Sequence, residues 1–242
     1  MDKKIIIAHR GNALQFPENS WLAIQSAIDL GIKYIECDVQ LSKDKQPVLF
    51  HDRNLERLCQ QAGALYDYDY DELITFSLSY NERFGDQFKG NGLLGLEELV
   101  TRMQSYPDVS LFVELKRVSI EQFGIDTVLS CIIPLLEPLA DRCVIISYNF
   151  AAIREVRRRG WQMVGFVMDQ WSTLNERRID ELAPEWYFCD INGLPALGRI
   201  GIAGTRTAVF EVGKIEVARE LWQRGVDAIE TFNVNEMITA KS

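Results

Sequence analysis

The chain holds two histidines, His9 and His51, and each follows an apolar run: Ile5-Ile6-Ile7-Ala8 leads into His9-Arg10, and Pro47-Val48-Leu49-Phe50 into His51-Asp52. Two further polar pairs stand where apolar runs end, Glu36-x-Asp38 and Glu114-x-Lys116. Side chains alternate along a strand, so Glu36 and Asp38 point one way and Cys37 the other. Two carboxylates side by side in a partly buried mouth repel unless a cation lies between them. Glu114 offers a third oxygen, and an oxygen set without thiolate suits Mg²⁺ or Ca²⁺ better than zinc. Lys116 shares the face of Glu114, where it can pair with a carboxylate or with a substrate anion. Three acids against two bases (Arg10 and Lys116) leave such a pocket anionic, and a divalent cation turns it to about +1, able to accept a phosphodiester. Imidazole titrates close to working pH, which suits both general-acid and general-base roles. Taken singly these features are ordinary: an E-x-D pair is usually solvated or ion-paired, and a strand-end histidine is usually structural. Their common placement is what carries the reading.

The elements that must position them alternate along the chain. Strand-like runs are expected at 4–8, 34–38, 110–115, 143–147, 163–168, 186–190, 207–212 and 228–231, with helical patterns at 20–31, 96–106, 120–136, 150–160 and 214–225 between them. Gly31, Gly160 and Gly225 stand where helices would stop. Eight strand–helix units in a chain of 242 residues predict an α/β fold of the TIM (β/α)8 barrel type. An open doubly wound sheet is the rival, but the first strand lacks a glycine-rich dinucleotide fingerprint after it. In a (β/α)8 barrel the C-terminal strand ends form the reactive face, and the polar residues above collect there.

Two stretches exceed a bare barrel. Residues 39–52 read as a β-hairpin. A turn centred near Asp44-Lys45 makes cross-strand partners sum to about 89 and sets His51 opposite Asp38. Residues 53–93, with the cluster Tyr66-Asp67-Tyr68-Asp69-Tyr70-Asp71-Glu72, read as an insertion capping the C-terminal face within a single domain over 1–242; the cluster itself reads as a solvated loop with core anchors.

Composition bounds the function. With 47% hydrophobic and 25% charged residues the chain can bury a sizeable core, and its net charge of −9 argues against a nucleic-acid or anionic-membrane binder. No run approaches the roughly 18 apolar residues of a membrane span, so no stable membrane insertion is expected. The N-terminal apolar stretch is too short for a signal peptide, and the five scattered cysteines contain no C-x-x-C, which together point to a cytoplasmic protein with reduced thiols. Oligomeric state has no signature in the sequence.

The strings His9-Arg10-Gly11, Pro17-Glu18-Asn19-Ser20, Glu36-x-Asp38-Val39 and His51-Asp52 resemble the glycerophosphodiester phosphodiesterase family. Glu114-Leu115-Lys116 is similar to that family's later E-x-K element, Leu96-Glu97-Glu98-Leu99 to the helix before it, and Gly225-Val226-Asp227 to the approach to its last strand. The similarity is densest over 5–52, thinner over 94–116, and collinear to the end. It implies metal-dependent hydrolysis of a small-molecule glycerophosphodiester to glycerol 3-phosphate and an alcohol. Carried over, His9 and His51 are the acid/base pair, and Glu36, Asp38 and Glu114 are ligands of a divalent cation, Mg²⁺ first and Ca²⁺ second. Arg10 and Lys116 contact the phosphate, while Glu18 and Asn19 shape the mouth. The chain departs from the family at Phe210-Glu211-Val212-Gly213, where Trp-Thr-Val-Asn is usual, and at Thr231-Phe232, where Thr-Asp is usual. Phe210 keeps an aromatic surface for the substrate, but the polar partners are lost. Two alternatives stand beside this reading: lysophospholipase D-like hydrolysis of lysophospholipids, and a phosphodiester-binding protein with decayed catalysis.

Overall fold

A computed structural model describes residues 4–175 and 182–239. The strands are β1 (Ile5–His9), β2 (Tyr34–Leu41), β3 (Pro47–Leu49), β4 (Ser110–Leu115), β5 (Cys143–Ser147), β6 (Val164–Met168), β7 (Trp186–Asp190), β8 (Arg206–Phe210) and β9 (Ala228–Thr231). All but β3 pair in parallel, in the order β1-β2-β4-β5-β6-β7-β8-β9, and β9 returns to β1, closing an eight-stranded TIM barrel. Parallel strands buried on both faces need β-branched and aromatic residues on both, which Cys143-Val144-Ile145-Ile146 and Trp186-Tyr187-Phe188-Cys189 supply.

The barrel is filled. Phe112, Trp186 and Phe188 meet edge to face, with Phe112 centroids 5.0 and 5.2 Å from the other two, and Ile7, Val144 and Ala228 pack around them. Outside, helices cover the strands. The first of these, Trp21–Asp29, starts where the Ser20 side chain accepts from Ala23 N at 3.1 Å. No helix among the described residues is long and apolar enough to cross a membrane.

Register places the polar residues. His9 lies beside Glu36 across β1–β2, and Asp38 lies beside Glu114 across β2–β4. Five expectations need correction. β1 begins at Ile5 and includes His9, while β2 continues to Leu41 through the first arm of the hairpin. The hairpin pairs Val39 with Leu49, Gln40 with Val48 and Leu41 with Pro47, so partners sum to 88 and the register is shifted by one residue. The cause is the turn: Lys45 adopts φ +66°, and Ser42 accepts from Lys45 N through its carbonyl and from Gln46 N through its hydroxyl. The helix expected over 120–136 is two helices, Arg117–Phe123 and Ile125–Leu136, because Gly124 at φ +79° breaks the run. At the end of β8, Glu211 at φ +65° stops the strand short of the expected Val212.

Residues 53–93 contain short helices at Glu56–Cys59, Tyr70–Leu73 and Asn81–Phe84. Leu55, Leu58, Leu65, Leu73 and Leu78 gather with Val48 and Phe50 of the hairpin into a separate apolar cluster. Burying each leucine contributes about 1.5–3 kcal/mol, which holds the segment against the hairpin that carries His51. Tyr68 and Tyr70 pack against this cluster, and the Glu72 carboxylate accepts from Asp69 N at 2.9 Å.

Candidate active site

The His9-Arg10-Gly11 turn is built by backbone demands. Arg10 takes φ +58° and Gly11 φ +82°, and a Cβ on Gly11 would lie 2.5 Å from the Ala23 carbonyl carbon. The tight approach aims Arg10 N at Glu36 Oε2, 3.1 Å away, and turns the Arg10 side chain back over the barrel mouth. Asn19, itself at φ +58°, donates from Nδ2 to Asp38 Oδ2 at 2.9 Å and accepts from Asp38 N at 3.1 Å.

Glu36, Asp38 and Glu114 are all buried, and one oxygen from each lies within 4.8 Å of the others. Lys116 Nζ stands 3.1 Å from Asp38 Oδ1 and 3.0 Å from Glu114 Oε1, and Arg10 Nε is 3.0 Å from Asp38 Oδ2. Burial works to raise the Asp38 carboxyl, but Lys116 and Arg10 overcome it and hold Asp38 far below the usual carboxylate range. Glu36 goes the other way: burial, then the charges of Asp38 and Glu230, push it well up. Burial also raises Glu114, against the pull of Lys116. The set fits a hard divalent cation. It is oxygen-rich, its acids repel one another without a positive centre, and Glu36 Oε1 is buried with no hydrogen-bond partner.

The two histidines have different surroundings. His9 is 7% exposed, its Nε2 is 3.3 Å from Glu230 Oε1 and 3.8 Å from Glu36 Oε2, and Phe232 stacks on its ring at 4.2 Å and 19°. Burial, with the positive charge of Arg10 next, holds His9 well below its ordinary pKa, so its ring is neutral at working pH. His51 is about one-third exposed, and its Nδ1 lies 2.9 Å from Asp52 Oδ1. Burial opposes ionisation of Asp52, but its bonds to His51 and Arg57 keep it below the usual range, so the carboxylate accepts and Nδ1 carries the hydrogen. Arg57 extends the chain: Nε and Nη2 donate to Asp52 at 2.6 and 2.9 Å, and Nη1 and Nη2 donate to Glu18 at 3.0 and 2.9 Å. Glu18 Oε1 accepts in turn from Arg10 Nη1 at 2.8 Å.

The structure thus brings His9, Arg10, His51, Glu114, Lys116 and Phe210 to the lining of one small cavity of about 180 Å³, with Glu36 and Asp38 beneath Arg10 and Lys116. Glu18 and Asn19 stand behind that lining, bonded to Arg10 and Asp38. Sequence reasoning missed Glu230, Arg57, Tyr148 and Phe232. Glu230 carried a usable signal, since alternation along Ala228-Ile229-Glu230 turns it inward with the barrel-filling Ala228. Arg57 carried none, because its partner Glu18 is 39 residues away.

Comparison with known proteins agrees with this geometry. The sequence pattern of the glycerophosphoryl diester phosphodiesterase family matches residues 9–159. A glycerophosphodiester phosphodiesterase of Caldanaerobacter subterraneus is 31% identical over 156 residues, covering 64% of this chain and 63% of that protein. The mouse glycerophosphodiester phosphodiesterase 1 is 30% identical over 115 residues, covering 48% of this chain and 34% of that protein. The chain therefore spans less than two-thirds of the length of these curated relatives. Among solved structures, an Oleispira antarctica phosphodiesterase in complex with the product sn-glycerol-3-phosphate superposes with a TM-score of 0.85 at 22% identity, over 98% of this chain and 96% of that one. A glycerophosphodiester phosphodiesterase from Parabacteroides distasonis superposes with a TM-score of 0.78 at 22% identity, over 99% and 98%. At those identities the superpositions establish a shared fold.

Proposed function

The chain belongs to the glycerophosphoryl diester phosphodiesterase family, and from that premise we propose that it hydrolyses glycerophosphodiesters to glycerol 3-phosphate and an alcohol. The observation that carries the reading is the convergence of both histidines of the chain, a buried carboxylate set and two cationic side chains on one barrel mouth. Glu36, Asp38 and Glu114 would hold a divalent cation, Mg²⁺ first and Ca²⁺ second, which when bound would supply Lewis-acid polarisation of a phosphoryl oxygen.

Arg10 and Lys116 bind the phosphate through charge-assisted hydrogen bonds and orient it between the histidines. His9 is the general base: its neutral, desolvated ring takes the proton of the attacking oxygen, water or the neighbouring glycerol hydroxyl, as the new P–O bond forms. His51 is the general acid. Asp52 holds its ring through Nδ1, which leaves Nε2 to give a proton to the leaving alkoxide as the old P–O bond breaks. Glu18 and Asn19 hold Arg10 and Asp38 in place, and Phe210 gives the substrate an apolar wall. Residues 53–93 cap the mouth within one domain, and the reaction takes place in the cytoplasm.

The test is release of glycerol 3-phosphate from glycerophosphoethanolamine with Mg²⁺, Mn²⁺ or Ca²⁺ supplied in turn. We expect turnover that EDTA abolishes. Stoichiometric binding without turnover, or full activity in excess EDTA, would sink the proposal.

A further inference from the structure

A second cavity adjoins the first. It encloses about 560 Å³ against about 180 Å³, and the two share His51, Glu114, Lys116, Arg117 and Tyr148. Of the shared residues, His51 and Lys116 are those proposed to meet the leaving oxygen and the phosphate, so the two ester arms of a diester enter different cavities. The smaller cavity presents Asp190 and Glu211 beside Phe188 and Phe210. Carboxylates only accept hydrogen bonds when ionised, which suits an arm rich in hydroxyl donors, and glycerol is such an arm.

The larger cavity carries three guanidinium groups, Arg53, Arg57 and Arg117, against Arg10 and Arg117 in the smaller one, and fewer acids. Its lining includes Arg53, Arg57, Lys116 and Arg117. Arg57 is committed to Asp52 and Glu18, and Lys116 to Asp38 and Glu114. Arg117 has no carboxylate partner among the described residues and lies 4.6 Å over the Tyr148 ring. Arg53 lies 5.9 Å over the Tyr66 ring and has one carboxylate partner among the described residues, Glu121 at 3.6 Å, with both side chains more than half exposed at 57% and 66%. The remaining acid, Glu56, is occupied in accepting from Gly63 N at 3.1 Å. One guanidinium without a carboxylate partner among the described residues, Arg117, and one held only by an exposed ion pair, Arg53, therefore face the opening.

Resting on the hydrolase reading, we infer that the larger cavity is the subsite of the leaving alcohol and that Arg117 and Arg53 select an alcohol bearing a carboxylate or phosphate of its own. A guanidinium pairs bidentately with either anion, while a cationic alcohol such as choline meets like charge there.

Glycerophosphoserine and glycerophosphoethanolamine differ by one carboxylate, and the experiment compares their kcat/KM for glycerol 3-phosphate release. Two exposed guanidinium contacts should favour the serine ester by about tenfold, each being a surface-type ion pair. The ratio should fall to about one in Arg53→Gln/Arg117→Gln, and it should shrink with added salt in the wild type, as screening requires. Arg117→Lys, which keeps the charge but loses the fork, should retain part of the preference. A wild-type ratio at or below one, or a ratio that survives the double substitution, overturns the inference and leaves the hydrolase reading intact. No glycerol 3-phosphate from either ester overturns both.

Discussion

Replacing Arg57 by methionine tests how the segment after the hairpin serves the chemistry. The guanidinium makes four hydrogen bonds, two to Asp52 and two to Glu18, at 2.6–3.0 Å. Asp52 is 25% exposed and Arg57 30%, so that half of the bridge is partly solvated and contributes about 0.5–1 kcal/mol. Glu18 is 9% exposed and would keep Arg10 as its partner, so loss of the second guanidinium there costs about 1–2 kcal/mol. Arg57→Met should therefore destabilise by roughly 1.5–3 kcal/mol, a Tm decrease of about 3–12 °C for a domain of this size. The catalytic effect arises separately. Without Arg57 no other side chain among the described residues bonds the Asp52 carboxylate besides His51, and loss of such an orienting partner typically costs about 10–100-fold in turnover. KM should hardly move, because both arms of the guanidinium are already committed to carboxylates. Arg57→Lys, with charge but no fork, should fall between. Steady-state kinetics with thermal unfolding on the same samples give the answer. A fall in Tm with kcat unchanged would make the bridge structural only, and a raised KM with kcat unchanged would mean that Arg57 binds substrate.

Other outcomes follow from the same geometry. Glu36 and Glu230 are held above the ordinary carboxylate range, so the metal-free folded protein keeps protons that the unfolded chain has released, and stability must fall as pH rises. His9 has the opposite sign and acts only below its ordinary 6.5, while the buried thiols of Cys37, Cys59, Cys143 and Cys189, also pushed up, add to the fall at alkaline pH. Thermal unfolding in EDTA of the wild type beside Glu230→Gln isolates the carboxyl: above its ordinary range the wild type should lose stability faster as pH rises, by up to about 1.4 kcal/mol per pH unit for the one proton, with Mg²⁺ removing the difference. Identical pH profiles would contradict the burial argument. Gly11→Ala should cost more than about 3 kcal/mol, because the added methyl meets the Ala23 carbonyl in a left-handed backbone, and a stable variant measured by urea unfolding would show that the turn can yield. Phe232→Ala should lower kcat several-fold by freeing the stacked His9 ring; unchanged turnover would make the stack incidental.

Much of the barrel was readable because its determinants are local. Continuous apolar runs mark strands buried on both faces, and alternation places Glu36 and Asp38 on one side. The hairpin register was not readable, since it depends on Lys45 adopting a left-handed backbone that no residue type there demands. Gly124 is different: it lay in plain view within an apolar helical pattern, and only its φ of +79° shows it to be a break. At the site, the residues ending strands were legible and those completing them from a distance were not. Glu230 stands as a single acid in an apolar strand, and the barrel closure of β9 onto β1 brings it to His9. Arg57 and Phe232 join the histidines through tertiary packing alone.

The most direct test of the central claim is a crystal soaked with Mg²⁺ and glycerol 3-phosphate. The account predicts a cation bound by Glu36, Asp38 and Glu114, with the phosphate against Arg10 and Lys116 and between His9 and His51. A cation elsewhere, or a phosphate out of reach of both imidazoles, would contradict it.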